Sequence, residues 1–307
     1  MKTVHWGIIG CGDVCEKKAG PALYGVDHSE LIAVMRRTGD LAADFARRHN
    51  IGKWYDSVED LLADDEIDTI YVATPDEAHE EGTIAAAMAG KDVLVEKAMA
   101  TDTAACNRMI ETCDKQGVVL AVAYYRRGYP TILRAKDLID SGAIGPVKTI
   151  TLNDEFPLSH RLDLVHFFAG DIQSVWARPE PLPPGSHADH GDVLYCQSDA
   201  GPVGITPTGW EEKLAAETVL IEGERGSIHV TDLKKGTISV TMDNMTKEED
   251  LGPLPATHWG IVDNFVKHVN GLAPLACDGV EGRKSTVILD IVKELVGDGK
   301  EVAVDYS

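Results

Sequence analysis

The stretch that most constrains this chain is Val4 to Cys15, which reads Val-His-Trp-Gly-Ile-Ile-Gly-Cys-Gly-Asp-Val-Cys. A short apolar run enters a turn carrying Gly7, Gly10 and Gly12, and a helix is expected to leave it from about Asp13. Strand, glycine turn and helix N-terminus in that order put the first helical amides, those of Asp13 and Val14, where a phosphate can accept from them. Gly10 permits the turn, and Gly12, lacking a Cβ, lets the backbone come close to a pyrophosphate. The expected ligand is a dinucleotide. The third small position of the fingerprint is Cys15, and the motif by itself leaves open the alternative that the glycines only make a turn.

At 307 residues the chain has room for two domains, and 44% hydrophobic with 6% aromatic residues is the composition of an ordinary globular protein. A formal charge of −21 repels nucleic acid and anionic membranes, and no basic patch interrupts it. The six cysteines, Cys11, Cys15, Cys106, Cys113, Cys196 and Cys277, show no C-x-x-C spacing. That excludes a disulfide framework or a structural zinc site and points to a reducing cytoplasm. The N-terminus runs into the first strand without a leader, and no window is long and apolar enough for a membrane span.

Downstream, Leu31 to Met35 is an apolar run suited to a parallel strand buried on both faces. Where a Rossmann unit places an acid for the ribose of NAD, this chain has Arg36-Arg37-Thr38. Two guanidiniums and a hydroxyl can pair with a 2′-phosphate, which favours NADP while leaving NAD possible; the alternative is solvated surface charge. Helices are expected over 41–49, 57–65 and 80–89, the second opening on a Ser57-x-x-Asp60 capping pattern. The carboxylates from Asp56 to Asp68 read as a solvated face, because no His or Cys stands among them at ligand spacing. Further strands at 69–73 and 92–95 deliver Thr74-Pro75 and Glu96-Lys97 to the edge where ligands bind in open α/β sheets.

Three segments together carry a resemblance: Gly7-Ile-Ile-Gly10-Cys-Gly12, Val72-Ala-Thr74-Pro75 with His79 behind it, and Ala89-Gly90-Lys91-Asp92-Val-Leu-Val95-Glu96-Lys97. They resemble the Gfo/Idh/MocA oxidoreductases, the glucose-fructose oxidoreductase and inositol dehydrogenase family. Ala123-Tyr124-Tyr125-Arg126-Arg127, Gly142-Ala-Ile-Gly145-Pro-Val147 and Ile221-Glu-Gly223-Glu-Arg-Gly226-Ser-Ile228 extend the likeness over nearly the whole chain. The resemblance implies an N-terminal Rossmann domain over 1–122. A C-terminal α+β domain would follow over 123–307, with an open, mainly antiparallel sheet that pairs subunits into a dimer or tetramer and a last helix that can return to the first domain. It implies that Thr74, Pro75, His79, Glu96 and Arg126 attend the cofactor. Lys97 matches the family's lysine on the reacting hydroxyl or carbonyl. A lysine at a strand end beside a cationic nicotinamide is pushed towards its neutral form and can accept a proton, with Glu96 to orient it.

Two departures stand out. The family writes Glu-Lys-Pro, often with a cis peptide, where this chain has Ala98; the 2.5–4 kcal/mol cost of about that size for a cis bond before alanine predicts trans here and a shifted Lys97. The family's acid ahead of its active-site histidine is replaced by Phe156, although His160 and Asp163 fit the later half of that motif. His160 is then the second candidate for the substrate proton, with Asp163 on the same helical face to hold it, and His166 is expected to pack. Tyr124 and Arg126 are candidate pocket residues. His187 and His190 lie in a Pro- and Gly-rich stretch, 179–192, that reads as a surface loop, since a third metal ligand is missing nearby. Strands near 193–196, 218–222, 227–231 and 237–242 and helices over 131–141, 257–270 and 282–296 complete the second half. The expected activity is NADP-dependent hydride transfer at a secondary alcohol or ketone of a sugar or cyclitol. The other reading is a dinucleotide-binding regulator or scaffold of the same fold, to which Ala98 and Phe156 lend weight.

Overall fold

A computed structural model describes residues 1–152, 158–181, 190–199, 201–205, 218–295 and 298–307. Phe156 and His187 lie outside the described residues. The chain forms two compact units, the first of residues 1–128 and 255–286, the second of 129–254 and 287–307. The first unit thus runs past the boundary expected after residue 122 and takes in the later segment 255–286. The turn Tyr125–Gly128 belongs with the first unit because Gly128 and Gly260 cross backbone to backbone, a Cβ on Gly260 falling 2.2 Å from Gly128 O. Segment 255–286 therefore folds back onto residues 1–128.

In the first unit six strands form one parallel sheet: β1 (Val4–Ile9), β2 (Ser29–Met35), β3 (Lys53–Tyr55), β4 (Thr69–Val72), β5 (Asp92–Val95) and β6 (Leu120–Val122). Their order across the sheet is β3-β2-β1-β4-β5-β6. Strand alternation sorts β1 onto two faces. Ile9 joins a core of Val72, Val95, Ala86, Ala105 and Met109, in which the helices His79–Met88 and Thr103–Gln116 bury their small residues. Trp6 instead meets Phe265 of the helix Trp259–Val269, ring centroids 5.0 Å apart. Ser57 caps the helix Val58–Leu62 by accepting from the Asp60 amide at 3.0 Å, as its spacing predicts. Of the acidic run, Asp64 is committed to Lys53 Nζ at 2.8 Å and Tyr55 Oη at 2.9 Å.

The second unit carries a nine-stranded sheet: β7 (Val147–Leu152), β8 (Ile172–Pro181), β9 (His190–Ser198), β10 (Gly201–Ile205), β11 (Val219–Gly223), β12 (Gly226–Asp232), β13 (Thr237–Met242), β14 (Met245–Asp250) and β15 (Val302–Ala303). The order is β14-β13-β12-β11-β7-β10-β9-β8-β15, antiparallel except where β10 meets β7. Of the stretch 179–192 expected to be a surface loop, the described residues are strand instead: β8 runs through Pro181 and pairs it with His190, the first residue of β9, and residues 182–189 lie outside the described residues. Among the described residues no helix is long and apolar enough to cross a membrane.

Candidate active site

Because the first sheet is parallel, the residues that follow its strands share one edge, and the strand order reverses between β1 and β4. An open α/β sheet leaves its ligand crevice at such a reversal. Gly10 follows β1 with φ +89°, and a Cβ there would lie 2.9 Å from Thr74 Cγ2 and 3.0 Å from Thr74 N. The turn passes the end of β4 with no room for a side chain. At Gly12 the nearest atom to such a Cβ is Gly10 O, 3.8 Å away, so the space over Gly12 stays open. Gly12 O accepts from the amides of Cys15 at 3.1 Å and Glu16 at 3.3 Å, which opens the helical stretch 13–23 and leaves the Asp13 and Val14 amides ahead of its first internal bonds. Gly7 is not part of this turn. It lies inside β1, where its missing side chain makes room for Ile67 Cδ1 at 3.0 Å and Ile70 Cδ1 at 3.1 Å.

Arg36, Arg37 and Thr38 follow β2 and are exposed. Neither guanidinium has a carboxylate partner among the described residues, whereas Arg47 and Arg48 nearby are engaged by Asp44 and Glu16. The charge of Arg36 is felt at the glycine turn: burial pushes the Cys11 thiol up to about 11, and Arg36 is the strongest influence opposing it. Thr74, half-buried, and Pro75, exposed, follow β4. His79 is fully buried, with Nδ1 2.8 Å from Ala98 O and Nε2 2.9 Å from Thr74 O. It ties the loops after β4 and β5 together and so shapes the edge rather than lining it.

After β5 come Glu96, buried, and Lys97, half-buried. The Lys97–Ala98 peptide is cis. The trans expectation weighed only the intrinsic cost of the bond and took no account of the surrounding chain. Glu96 does not reach out to a ligand. Its Oε1 accepts from Tyr71 Oη on β4 and from His258 Nε2 at 2.7 Å, and its Oε2 accepts from the Lys97 backbone N–H at 3.2 Å. Burial works against this carboxylate's charge, yet His258, Tyr71 and Lys97 together hold it well below the usual carboxylate range, at about 2. The hydrogen bond from Lys97 to Glu96 is thus made by the main chain. Beyond β6, Tyr124 is fully buried, and Arg126 is buried with its guanidinium 5.0 Å over the Tyr125 ring and Nη1 donating to Tyr125 Oη at 3.1 Å. Arg127 donates to Ala276 O at 2.8 Å, a structural tie within the unit.

Tyr71 and His258 were not among the residues singled out by sequence. His258 stands 162 positions from Glu96, and its only local signal is a histidine directly ahead of an amphipathic helix. In the second unit the helix Leu158–Ala169 carries His160 and Asp163, both buried. His166 packs as expected, its ring 5.8 Å edge-on from Tyr306. Among the described residues no group of three His, Cys, Asp or Glu side chains is placed to hold a metal ion.

Residues 4–124 match the profile of a family described as "Oxidoreductase family, NAD-binding Rossmann fold". An oxidoreductase of Formosa agariphila is 42% identical over 273 residues, covering 79% of this chain and 83% of that protein. This chain belongs to the Gfo/Idh/MocA oxidoreductase family. As a Gfo/Idh/MocA protein it is an NAD(P)-dependent oxidoreductase acting on CH–OH groups. A D-xylose 1-dehydrogenase (NADP(+)) of Hypocrea jecorina is 33% identical over 47% of this chain and 40% of its own length. In fold, the chain follows an Agrobacterium radiobacter oxidoreductase solved with NAD+, L-tartaric acid and magnesium, with TM-score 0.84, 18% identity and 98% of each chain covered. A levoglucosan dehydrogenase solved with NADH and L-sorbose gives TM-score 0.83 at 20% identity, covering 99% of this chain and all of that one.

Proposed function

We propose that this Gfo/Idh/MocA protein oxidises or reduces a secondary alcohol or ketone of a sugar or cyclitol with NADP as its preferred cofactor. The observation that carries the reading is the pairing of open space over Gly12 with two uncommitted guanidiniums, Arg36 and Arg37, at the adjacent strand end. A pyrophosphate fits the first and a 2′-phosphate the second, and Thr38 adds a hydroxyl donor. The Asp13 and Val14 amides and the Thr74-Pro75 turn complete the cradle. When bound, the nicotinamide supplies or takes the hydride. Lys97 then holds the proton at the substrate oxygen, and the Glu96 carboxylate fixes the main chain that presents it. Arg126 and Tyr124 line the pocket. His160, with Asp163 beside it, is assigned the second proton-handling role on family resemblance, and His160→Ala tests that assignment by itself. A reducing cytoplasm is the compartment in which six buried cysteines without C-x-x-C spacing fit best. A homodimer or tetramer built through the second sheet also rests on the family.

Fluorescence titration of NADPH and NADH side by side tests the cofactor assignment. Charge-assisted hydrogen bonds of ~1.5–3 kcal/mol each predict that Arg36→Ala with Arg37→Ala weakens NADPH at least tenfold and leaves NADH within a few-fold. Equal affinities in wild type and variant would reduce the arginines to surface charge. Tight cofactor binding without turnover on any of a broad panel of sugars and polyols would favour the regulatory reading instead.

A further inference from the structure

Glu96 is held by groups from three separate segments, and the one farthest away in sequence is the least expected. His258 is fully buried at the N-terminus of the helix Trp259–Val269. Its Nε2 lies 2.7 Å from Glu96 Oε1. A carboxylate only accepts, so Nε2 carries the proton and donates it. The same oxygen accepts from Tyr71 Oη, which leaves Oε2 turned to the Lys97 amide. The imidazole has a ring neighbour in turn: it is 4.5 Å from the ring of Tyr125, and the Arg126 guanidinium lies 5.0 Å from the centre of that same tyrosine ring. One buried series of contacts therefore runs Arg126, Tyr125, His258, Glu96 and the Lys97 main chain, wholly within the first unit.

We infer that His258 is a positioning residue for Lys97, acting through the Glu96 carboxylate. Without the Nε2 donor, Oε1 keeps only Tyr71, and a buried carboxylate short of a donor rotates towards any other. The donor already facing its second oxygen is the Lys97 amide, so the strand end carrying the lysine moves with it. His258 does not touch the reacting atoms in this scheme. The role of Lys97 itself rests on the enzymatic reading above.

The test measures the Lys97 amide and turnover in the same samples. Protein labelled with 15N-lysine gives one Lys97 amide signal, assigned by its absence from Lys97→Arg. In His258→Phe, which keeps a ring but loses the donor, the expected result is a displaced Lys97 amide signal whose solvent exchange is at least tenfold faster. The same variant should show a 10–100-fold lower kcat, a KM within a few-fold of wild type, and a larger primary isotope effect from deuterated substrate. His258→Gln, which can donate from a similar place, should restore the amide and most of kcat. An unmoved Lys97 amide in His258→Phe, or a moved amide with wild-type kcat, overturns the inference. If His258→Phe does not fold, Tyr71→Phe removes the other donor to the same oxygen and is judged by the same two readouts. Absence of turnover in wild type on every substrate would sink the enzymatic reading, while the amide signal would still decide whether His258 holds Lys97.

Discussion

Two ends of the same sheet edge are built on opposite plans. At β1 and β2 the groups are exposed or open: Gly12 has free space, and Arg36 and Arg37 have no carboxylate partner among the described residues. At β4 to β6 the half-buried Lys97 stands among groups that are buried and spoken for, Glu96 by Tyr71 and His258, His79 by two carbonyls, Arg126 by Tyr125. The first plan suits binding, since an uncommitted donor gives its full interaction to a ligand. The second suits chemistry, since a proton-transferring group works only when it is held in register with its substrate. Breaking the second end should therefore hurt rate and leave binding, and breaking the first should do the reverse.

The largest effect expected is on rate. Lys97→Ala removes the group proposed to handle the substrate proton, and a positioned acid or base is worth ~10²–10⁴ in rate. Stopped-flow or steady-state kcat should fall by that range, with NADPH affinity within a few-fold of wild type. A Lys97→Ala enzyme with wild-type kcat would take Lys97 out of the mechanism and erase the contrast between the two ends.

The two turn glycines sharpen the comparison within a few residues. Gly10→Ala must accept a positive φ and a Cβ 3.0 Å from the Thr74 backbone. Left-handed backbone at ~1–2 kcal/mol and overpacking at ~1–3 kcal/mol together predict a loss of roughly 2–5 kcal/mol in urea unfolding. Gly12→Ala meets no such neighbour and should change stability by less than about 1 kcal/mol. Its added methyl enters the space proposed for the pyrophosphate, so NADPH and NADH binding should both weaken at least tenfold. A Gly12→Ala protein that binds both cofactors as wild type does would mean that the open space is not the cofactor's.

How far the sequence reaches follows the same division. The end proposed for binding is local: strand, glycine turn and helix follow one another in the chain, and so the placement of Gly10, Gly12 and Arg36 to Thr38 after neighbouring strands was legible. The parallel strands before Thr74 and Glu96 were equally legible as apolar runs. What holds the rate end is non-local. His258 meets Glu96 across 162 positions, and no periodicity links a histidine before a late helix to a strand end in the first hundred residues. The cis Lys97–Ala98 peptide was missed because alanine carries none of proline's preference. β3 is only three residues long and β14, Met-Thr-Lys-Glu-Glu-Asp, is almost entirely polar, so neither offers the alternation by which strands are recognised. Gly128 and Gly260 show their purpose only once the backbones cross.

The smallest effect separates charge from shape at Glu96. Its carboxyl lies at about 2 in the folded protein against an ordinary 4.5. A depressed carboxyl pKa contributes stability that is fully present above the unfolded value and is lost as pH falls through the folded one. The difference sets an upper limit of roughly 3 kcal/mol at pH 7, about half of which is gone by pH 3. Glu96→Gln keeps the carbonyl that accepts from Tyr71 and His258 but never carries the charge. Wild type should therefore exceed Glu96→Gln by ~1–3 kcal/mol in urea unfolding at pH 7, and the gap should narrow steadily between pH 4.5 and 3. Comparing the two proteins at each pH cancels the other carboxyls, such as Glu16, which the Arg48 guanidinium also holds near 2 against the opposing effect of burial. A gap that stays constant with pH would show that Glu96 acts at this end by its shape and hydrogen bonds alone, and the rate end would then be held without a buried charge.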